Sequence, residues 1–398
     1  MLTISFRTTL LAACIVGTFV SMGTWERVAS LFQLPGMFSA GFVVLQLLMS
    51  YLLARQLTKA PPPQRISMLV GISGLAAMAL IIGYLYPIIN EGGFYAGASD
   101  RDEALDAAIG ALVDGGNPYH ATAFVKASSS VVGIGGNPIS AMPGEVFLAL
   151  PFYLLGATHL QNFFWLLAAF LMVCRTTRRS ELGLILLLVF LGSPSITAAE
   201  LLTGGDMLAM SLAIGVCAWQ VFRAESPASV YLAATLLGLA IASRPHFFML
   251  LPLLLSSQWI PGNVRNCLPS LWAGLLAAGI SAFFYVSDPA AFSPLHAQAW
   301  VLQFASILPR PDLFLYGVLL TILATFALAT RGRGFRYFAV FGGILMFVPP
   351  LFFVLLESTG SGSVTLQKYA WYAIPGWALL SFAVLSYFEV ETFHLNNT

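Results

Sequence analysis

The chain has 398 residues, of which 58% are hydrophobic and 9% are charged, and its mean hydropathy is +0.84. Soluble domains carry roughly 25% charged residues, so this composition excludes an ordinary soluble protein and indicates a polytopic membrane protein. A net charge of +1, without any long basic run, gives no reason to expect nucleic acid as a partner. The four cysteines are too widely spaced to predict a disulfide framework or a metal cluster.

Apolar runs of roughly 20 residues, or somewhat fewer where neighbouring helices shield the ends, predict membrane spans. The runs lie at 8–24, 36–54, 67–89, 160–174, 181–194, 205–222, 228–243, 246–259, 268–286, 312–330, 337–356 and 369–388. The expected fold class is therefore all-α, a transmembrane helical bundle of about twelve spans that forms one domain over 1–398. The runs 228–243 and 246–259 form either a short hairpin or one long helix kinked at Pro245, and the charge pattern favours the hairpin.

Lys and Arg accumulate on the cytoplasmic side of membrane proteins. Placing both termini inside leaves twelve of the 18 Lys and Arg residues in the cytoplasm. The remaining six, which then face outward, are Arg27, Arg101, Lys126, Arg244, Arg310 and Lys368. This orientation predicts that the long segment 91–159 is an extracytoplasmic loop.

The polar part of this loop, 91–143, holds six of the 17 acidic residues, so it is the first place to look for chemistry. Residues 103–113 favour a helix, with Ser99 or Asp100 as its N-cap and Gly115-Gly116 as its stop. The apolar run 145–155 is too short to span a bilayer and predicts an interfacial helix inside the loop.

Asp100 and Asp102 stand at the start of the predicted loop helix, next to Glu103. Carboxylates at such a place can hold a divalent cation or take a proton from a sugar hydroxyl. They can equally cap the helix and offset its dipole. Asp106 lies one turn after Asp102 on the same face, where it forms either a coupled carboxylate pair or part of a solvated surface.

Other candidates lie on the predicted outer side, near the bilayer surface. Glu200 and Asp206 flank a Gly-Gly turn and either complete a site with Asp102 or belong to an ordinary polar turn. The outer basic and histidine side chains suit a lipid phosphate, although each alone is also typical of a residue that snorkels to the interface. These residues are Arg244, His246, Arg310 and Lys368. The histidines lack the spacing of a zinc site.

Several short motifs resemble, in their order along the chain, the GT-C superfamily of membrane glycosyltransferases, which includes aminoarabinose and polyprenyl-dependent mannosyl transferases. Each motif is degenerate, and their order over most of 90–380 carries the resemblance. They are Asp102-Glu103 with the helix after it, Gly115-Gly116-Asn117-Pro118-Tyr119, Met142-Pro143-Gly144, Ser193-Pro194 with Thr203-Gly204-Gly205-Asp206, Ser243-Arg244-Pro245, and Lys368-Tyr369 with Pro375. One departure is that two extra spans precede the loop, so 1–66 lies outside the resemblance.

The resemblance implies transfer of a sugar, with inversion, from a polyprenyl-phosphate donor to an extracytoplasmic glycan, lipid or protein acceptor. Asp102 matches the catalytic carboxylate best, with Asp100 as the fallback and Glu103 beside it. Tyr119 and Tyr369 join the substrate-binding candidates already named. The implied location is a bacterial plasma membrane with the active site facing outward. No cofactor is implied with certainty, although the carboxylates are compatible with a divalent cation.

A transporter or lipid flippase of cell-envelope precursors is the main alternative. Such a protein is expected to place ionisable residues in the middle of its spans, and the predicted spans have essentially none there. A polymer ligase or a non-catalytic assembly subunit is a further alternative, which a transfer assay on the intact protein would separate from a glycosyltransferase.

Overall fold

A computed structural model describes the greater part of the chain. The described ranges are 5–31, 61–91, 101–123, 137–192, 200–223, 226–259, 264–295, 311–329, 332–361 and 366–395, with a few single positions and pairs between 44 and 59.

The described chain is almost entirely helical. Its α-helices are α1 Phe6–Leu31, α2 Gln64–Glu91, α3 Arg101–Val113, α4 Pro143–Leu154, α5 Gln161–Thr177, α6 Ser180–Gly192, α7 Met207–Arg223, α8 Pro227–Ile241, α9 Leu250–Gln258, α10 Leu268–Ser287, α11 Pro311–Ala329, α12 Phe335–Ser361 and α13 Leu366–Leu395. Short 3-10 turns include Pro118–His120, Thr158–Leu160 and Pro245–Met249. Two antiparallel strands of two residues each, β1 Thr122–Ala123 and β2 Asn137–Pro138, pair Thr122 with Pro138.

The predicted all-α class is therefore confirmed, and the predicted loop helix over 103–113 is α3. Each apolar run falls on a helix, except 36–54, which lies mostly outside the described residues. Among the described residues, five segments are long and apolar enough to cross a membrane. These are Gln64–Tyr86, Thr158–Thr177, Val264–Ser287, Phe335–Phe352 and Ala370–Phe388. The figure of twelve spans stays a prediction.

The chain divides into two compact units. Unit 1 contains residues 1–77, 165–199 and 307–398. In it, α13 packs against α1 and α12, and α12 packs against α11. Large buried side chains such as Phe190, Phe338 and Phe382 fill its interior. The single domain over 1–398 stays a prediction.

Unit 2 contains residues 78–164 and 200–306 and is built around α3 and α4. One apolar face of α3, which includes Leu105 and Ile109, packs with Val146 of α4 and with Phe292. Helix α8 packs against α4, α7 and α10. The first two turns of α4 are thus buried in protein, and their place at a membrane surface stays a prediction.

Helices α8 and α9 are separate, because the backbone is extended at Arg244 (φ −146°, ψ 141°) before the 3-10 turn at Pro245. One unbroken helix over 228–259 is therefore excluded. The extended segment lies beside the start of α4, where Met142 N donates to Ser243 O (3.2 Å) and Gly144 N donates to Ala242 O (3.1 Å). A β-carbon on Gly144 would lie 2.7 Å from the Ala242 carbonyl carbon, so only glycine permits this approach.

Candidate active site

Asp102 occupies the first turn of α3 and is buried, with only 2% of its surface exposed. Its carboxyl hydrogen-bonds to that of Glu103, which requires that the two share a proton. Burial, followed by the hydrogen bond to Glu103 and its charge, raises the pKa of Asp102 to about 9. Its Oδ1 has no hydrogen-bond partner in the described part of the chain. Asp102 is therefore a desolvated carboxyl rather than an exposed helix cap.

Gly204 separates Asp102 from His159. A β-carbon on Gly204 would lie 3.1 Å from Asp102 Oδ2 and 3.1 Å from His159 Cβ. The backbone at Gly204 is in the left-handed region (φ 65°), which favours glycine. The His159 ring stacks on Tyr86, with ring centroids 4.1 Å apart and planes inclined by 10°. A turn far from α3 in sequence thus packs against the Asp102 side chain.

Asp106 lies one turn further along α3 than Asp102, and Thr158, the neighbour of His159, contacts its carboxylate. The Thr158 hydroxyl donates a hydrogen bond of 2.6 Å to Asp106 Oδ1. Asp106 is an exposed residue, which agrees with the interpretation as part of a solvated surface. The hydrogen bond from Thr158 also fixes its carboxylate. Its negative charge adds to the factors that raise the pKa of Asp102.

Arg244 is a cation joined to two carboxylates. Its Nη2 pairs with Asp206 Oδ2 and lies 3.4 Å from Glu145 Oε2, while Nη1 donates to Ser140 O at 3.4 Å. Both carboxylates are 1% exposed and the arginine side chain is 11% exposed. Its Nε has no hydrogen-bond partner among the described residues. A buried charge is tolerated when it is paired in this way.

Glu200 has a structural role at the start of α7. Its Oε2 accepts a hydrogen bond of 2.9 Å from Leu208 N, so it caps the helix. Asn162 Nδ2 donates to the backbone oxygens of Glu200 (3.2 Å) and Gly205 (2.7 Å). The polar-turn interpretation of this segment holds for Glu200, whereas Asp206 reaches Arg244.

Tyr119 is part of the core of unit 2. Its ring meets those of Phe284 and Phe292 edge-on, at centroid distances of 5.9 and 4.7 Å. Its buried hydroxyl has no hydrogen-bond partner in the described chain. Burial and the negative charge of Glu145 raise its pKa, although the charge of Arg244 opposes this. The ring of Tyr119 is therefore a core group of unit 2, and its role in substrate binding stays a prediction.

The remaining predicted site residues are Asp100, Arg310, Lys368, Tyr369 and His246. Asp100 and Arg310 lie outside the described residues. Lys368 and Tyr369 lie in the first turn of α13, in unit 1, and their side chains are also outside the description. His246 is half-buried in the turn after Arg244, with its ring against Phe247.

Sequence reasoning missed Glu145, Thr158 and Asn162 as site residues. A signal for Glu145 was present, because one acid follows Pro143-Gly144 at the start of an otherwise apolar helix. Such a carboxylate must find a partner when the helix packs. Thr158 and Asn162 carry no comparable signal, since their partners are 52 and 38 to 43 positions away.

Among the described residues, no group of three or more His, Cys, Asp or Glu side chains could hold a metal ion. A divalent cation therefore gains no support from this cluster. Comparisons with family models, with curated proteins and with solved structures gave no match for this chain.

Proposed function

We propose that the protein is a membrane glycosyltransferase that moves a sugar from a polyprenyl-phosphate donor to an extracytoplasmic glycan, lipid or protein. The proposal includes a bundle of about twelve spans, a location in a bacterial plasma membrane, and an outward-facing active site around Asp102 and Arg244. It rests chiefly on the buried Asp102 carboxyl at the start of α3, in the position that resembles the catalytic carboxylate of GT-C enzymes. Arg244, a paired cation of the same unit, adds support.

In this reaction the acceptor oxygen forms a bond to the anomeric carbon of the sugar. The bond between that carbon and the phosphate oxygen breaks, and its electron pair leaves with the polyprenyl phosphate. Asp102 takes the proton of the acceptor hydroxyl. Because the acceptor attacks in one displacement, on the face opposite the departing phosphate, the configuration at the anomeric carbon inverts. Arg244 donates to the phosphate oxygens, and its Nε offers a donor that the described protein does not use.

The raised pKa gives Asp102 a strong basicity once it is ionised. At pH 7 a carboxyl with a pKa of about 9 is ionised in about 1% of molecules. At neutral pH only the small fraction of molecules with ionised Asp102 is therefore active, and the transfer rate should increase as the pH rises. Glu103 and Asp106 are the carboxyl groups that oppose this ionisation.

Charge placement favours an enzyme over the alternative of a transporter or flippase. In the five candidate spans, Arg65, Arg175, Arg265 and Arg336 are the Lys, Arg, Asp or Glu residues, and each lies within three positions of a span end. A transporter is expected to carry ionisable groups deep in its spans. In unit 2, Asp102 and Glu145 lie instead in the first turns of α3 and α4.

The test uses the full chain in lipid nanodiscs with a panel of short-chain polyprenyl-phosphate sugars, each radiolabelled in the sugar. Transfer to membrane glycolipids and to water is measured. Asp102→Asn should lose roughly 100- to 10,000-fold in rate, as expected for a lost general base. Asp114→Asn, an exposed carboxylate just after the same helix, is the matched control and should keep the parent rate. Equal rates for parent and Asp102→Asn would reject the mechanism.

A further inference from the structure

Asn162 is a fully buried polar residue in the first turn of α5. Its Nδ2 donates to two backbone oxygens of one turn, Glu200 O at 3.2 Å and Gly205 O at 2.7 Å. Both hydrogens of the amide group are used in this way. The side chain therefore ties the start of α5 to the chain segment that leads into α7.

The turn that Asn162 holds is also closed on itself. Gly205 N donates to Glu200 O (3.0 Å), and Leu208 N donates to the Glu200 carboxylate (2.9 Å). The Glu200 carbonyl thus accepts from both Gly205 N and Asn162 Nδ2. Residues 200–208 are therefore held by the Asn162 side chain at Glu200 and Gly205, and by the Glu200 carboxylate at Leu208.

This turn carries one contact to each half of the proposed site. Gly204 packs against the Asp102 side chain, and Asp206 pairs with the Arg244 guanidinium. These two residues are two positions apart, so a displacement of the turn moves both contacts together. The base and the cation are linked by one short piece of backbone.

We propose that Asn162 is a positioning residue that acts through the 200–208 turn to set both Asp102 and Arg244 for the transfer reaction. The inference rests on the proposed function. It assigns Asn162 no contact with either substrate, so its effect must pass through Asp102 on the chemical step and through Arg244 on donor binding. A displacement of about 1 Å at a reacting group can cost about 100-fold in rate.

Asn162→Ala should therefore lower kcat by roughly 10- to 100-fold and raise the donor KM. The matched control is Gln161→Met, since Gln161 is adjacent and equally buried, and neither atom of its amide has a hydrogen-bond partner in the described chain. Gln161→Met should keep kcat and KM within about twofold of the parent, because it removes no partner. Parent-like kinetics in folded Asn162→Ala would overturn the inference.

Double variants separate positioning from a general loss of structure, because residues that act through one another are not additive. In the Asp102→Asn background, Asn162→Ala should reduce the residual kcat by less than about threefold. In the Arg244→Ala background, Asn162→Ala should leave the Kd for sugar-free short-chain polyprenyl phosphate nearly unchanged. Full multiplication of the losses in both backgrounds would contradict the role. If Asn162→Ala does not insert, Asn162→Ser carries the same comparison.

Hydrogen exchange measures the turn without any substrate. Asn162→Ala should speed exchange of the Gly205 and Leu208 amides by at least tenfold, whereas Gln161→Met should not. Unchanged exchange would overturn the inference even if no donor in the panel is turned over. An Asp102→Asn variant with parent activity would reject the proposed function instead, whatever Asn162 does to the turn.

Discussion

Replacing Asp102 by asparagine should stabilise the protein, and by an amount that depends on pH. The folded carboxyl has a pKa of about 9, against 3.8 for the ordinary value that applies when the chain unfolds. Folding therefore favours the protonated form. The contribution of the buried neutral carboxyl to the free energy of unfolding is fully present below about pH 4 and is lost as the pH rises towards 9. Asparagine keeps the shape and cannot ionise, so it escapes this loss.

The size of the effect follows from the gap between the pH and the unfolded pKa. Each pH unit is worth about 1.4 kcal/mol, so about three units at pH 7 correspond to roughly 4 kcal/mol. A difference of this size should raise the unfolding midpoint of Asp102→Asn on the order of 5 °C over the parent. Near pH 4 the two proteins should unfold together. The same ionisation should make kcat/KM of the parent rise about tenfold per pH unit between 6 and 8.

The assay is thermal unfolding of both proteins in the same detergent, from pH 4 to pH 9, followed by tryptophan fluorescence. Comparing the variant with the parent removes the contribution of titrating groups that do not interact with Asp102. Asp114→Asn, which replaces an exposed carboxylate, should show no growing difference. If the parent were the more stable protein at pH 8, Asp102 would be ionised in the fold, and the reasoning from its burial would be refuted.

Three further outcomes are expected. Gly204→Ala should cost about 1–2 kcal/mol from its left-handed backbone and lower the transfer rate by crowding the buried carboxyl; a rate equal to the parent's would show that this contact is dispensable. Thr158→Val should cost roughly 1.5–3 kcal/mol in urea unfolding, because it removes the donor to Asp106, and an Asp106→Asn background should abolish most of that cost. In a cysteine-free background, Asp114→Cys should react with an impermeant thiol reagent in intact cells and Ala228→Cys should not; the reverse labelling would invert the topology.

Hydropathy and local signals were sufficient to predict the all-α class and most of the described helices, while the figure of twelve spans stays a prediction. The loop helix was expected over 103–113 and is formed by Arg101–Val113, and it ends before Gly115-Gly116 as expected. The break near Pro245 was also one of two open alternatives, and the extended backbone at Arg244 decides it. Such features depend on apolar spacing and on stop residues within a few positions, so they are visible without any long-range contact.

The state of each candidate side chain could not be predicted in the same way. Asp102 was interpreted either as a cap or as a base, and its burial depends on Gly204, about a hundred positions later. Arg244 was predicted to bind a lipid phosphate, and the structure shows that it is paired with Asp206 and lies near Glu145. A phosphate must therefore share or displace these carboxylates if Arg244 binds the donor.

Composition and periodicity are local properties of the chain, so they were enough to predict an all-α protein with apolar helices and an acid-rich segment before α4. Which acids are buried, and which polar groups hold them, became visible only in the folded structure. Asn162 meets its turn 38 to 43 positions away, and Arg244 meets Ser140 across 104. The pKa of a carboxyl and the pairing of a cation depend on distance in space and on exclusion of water, and both are set only when such distant segments pack together.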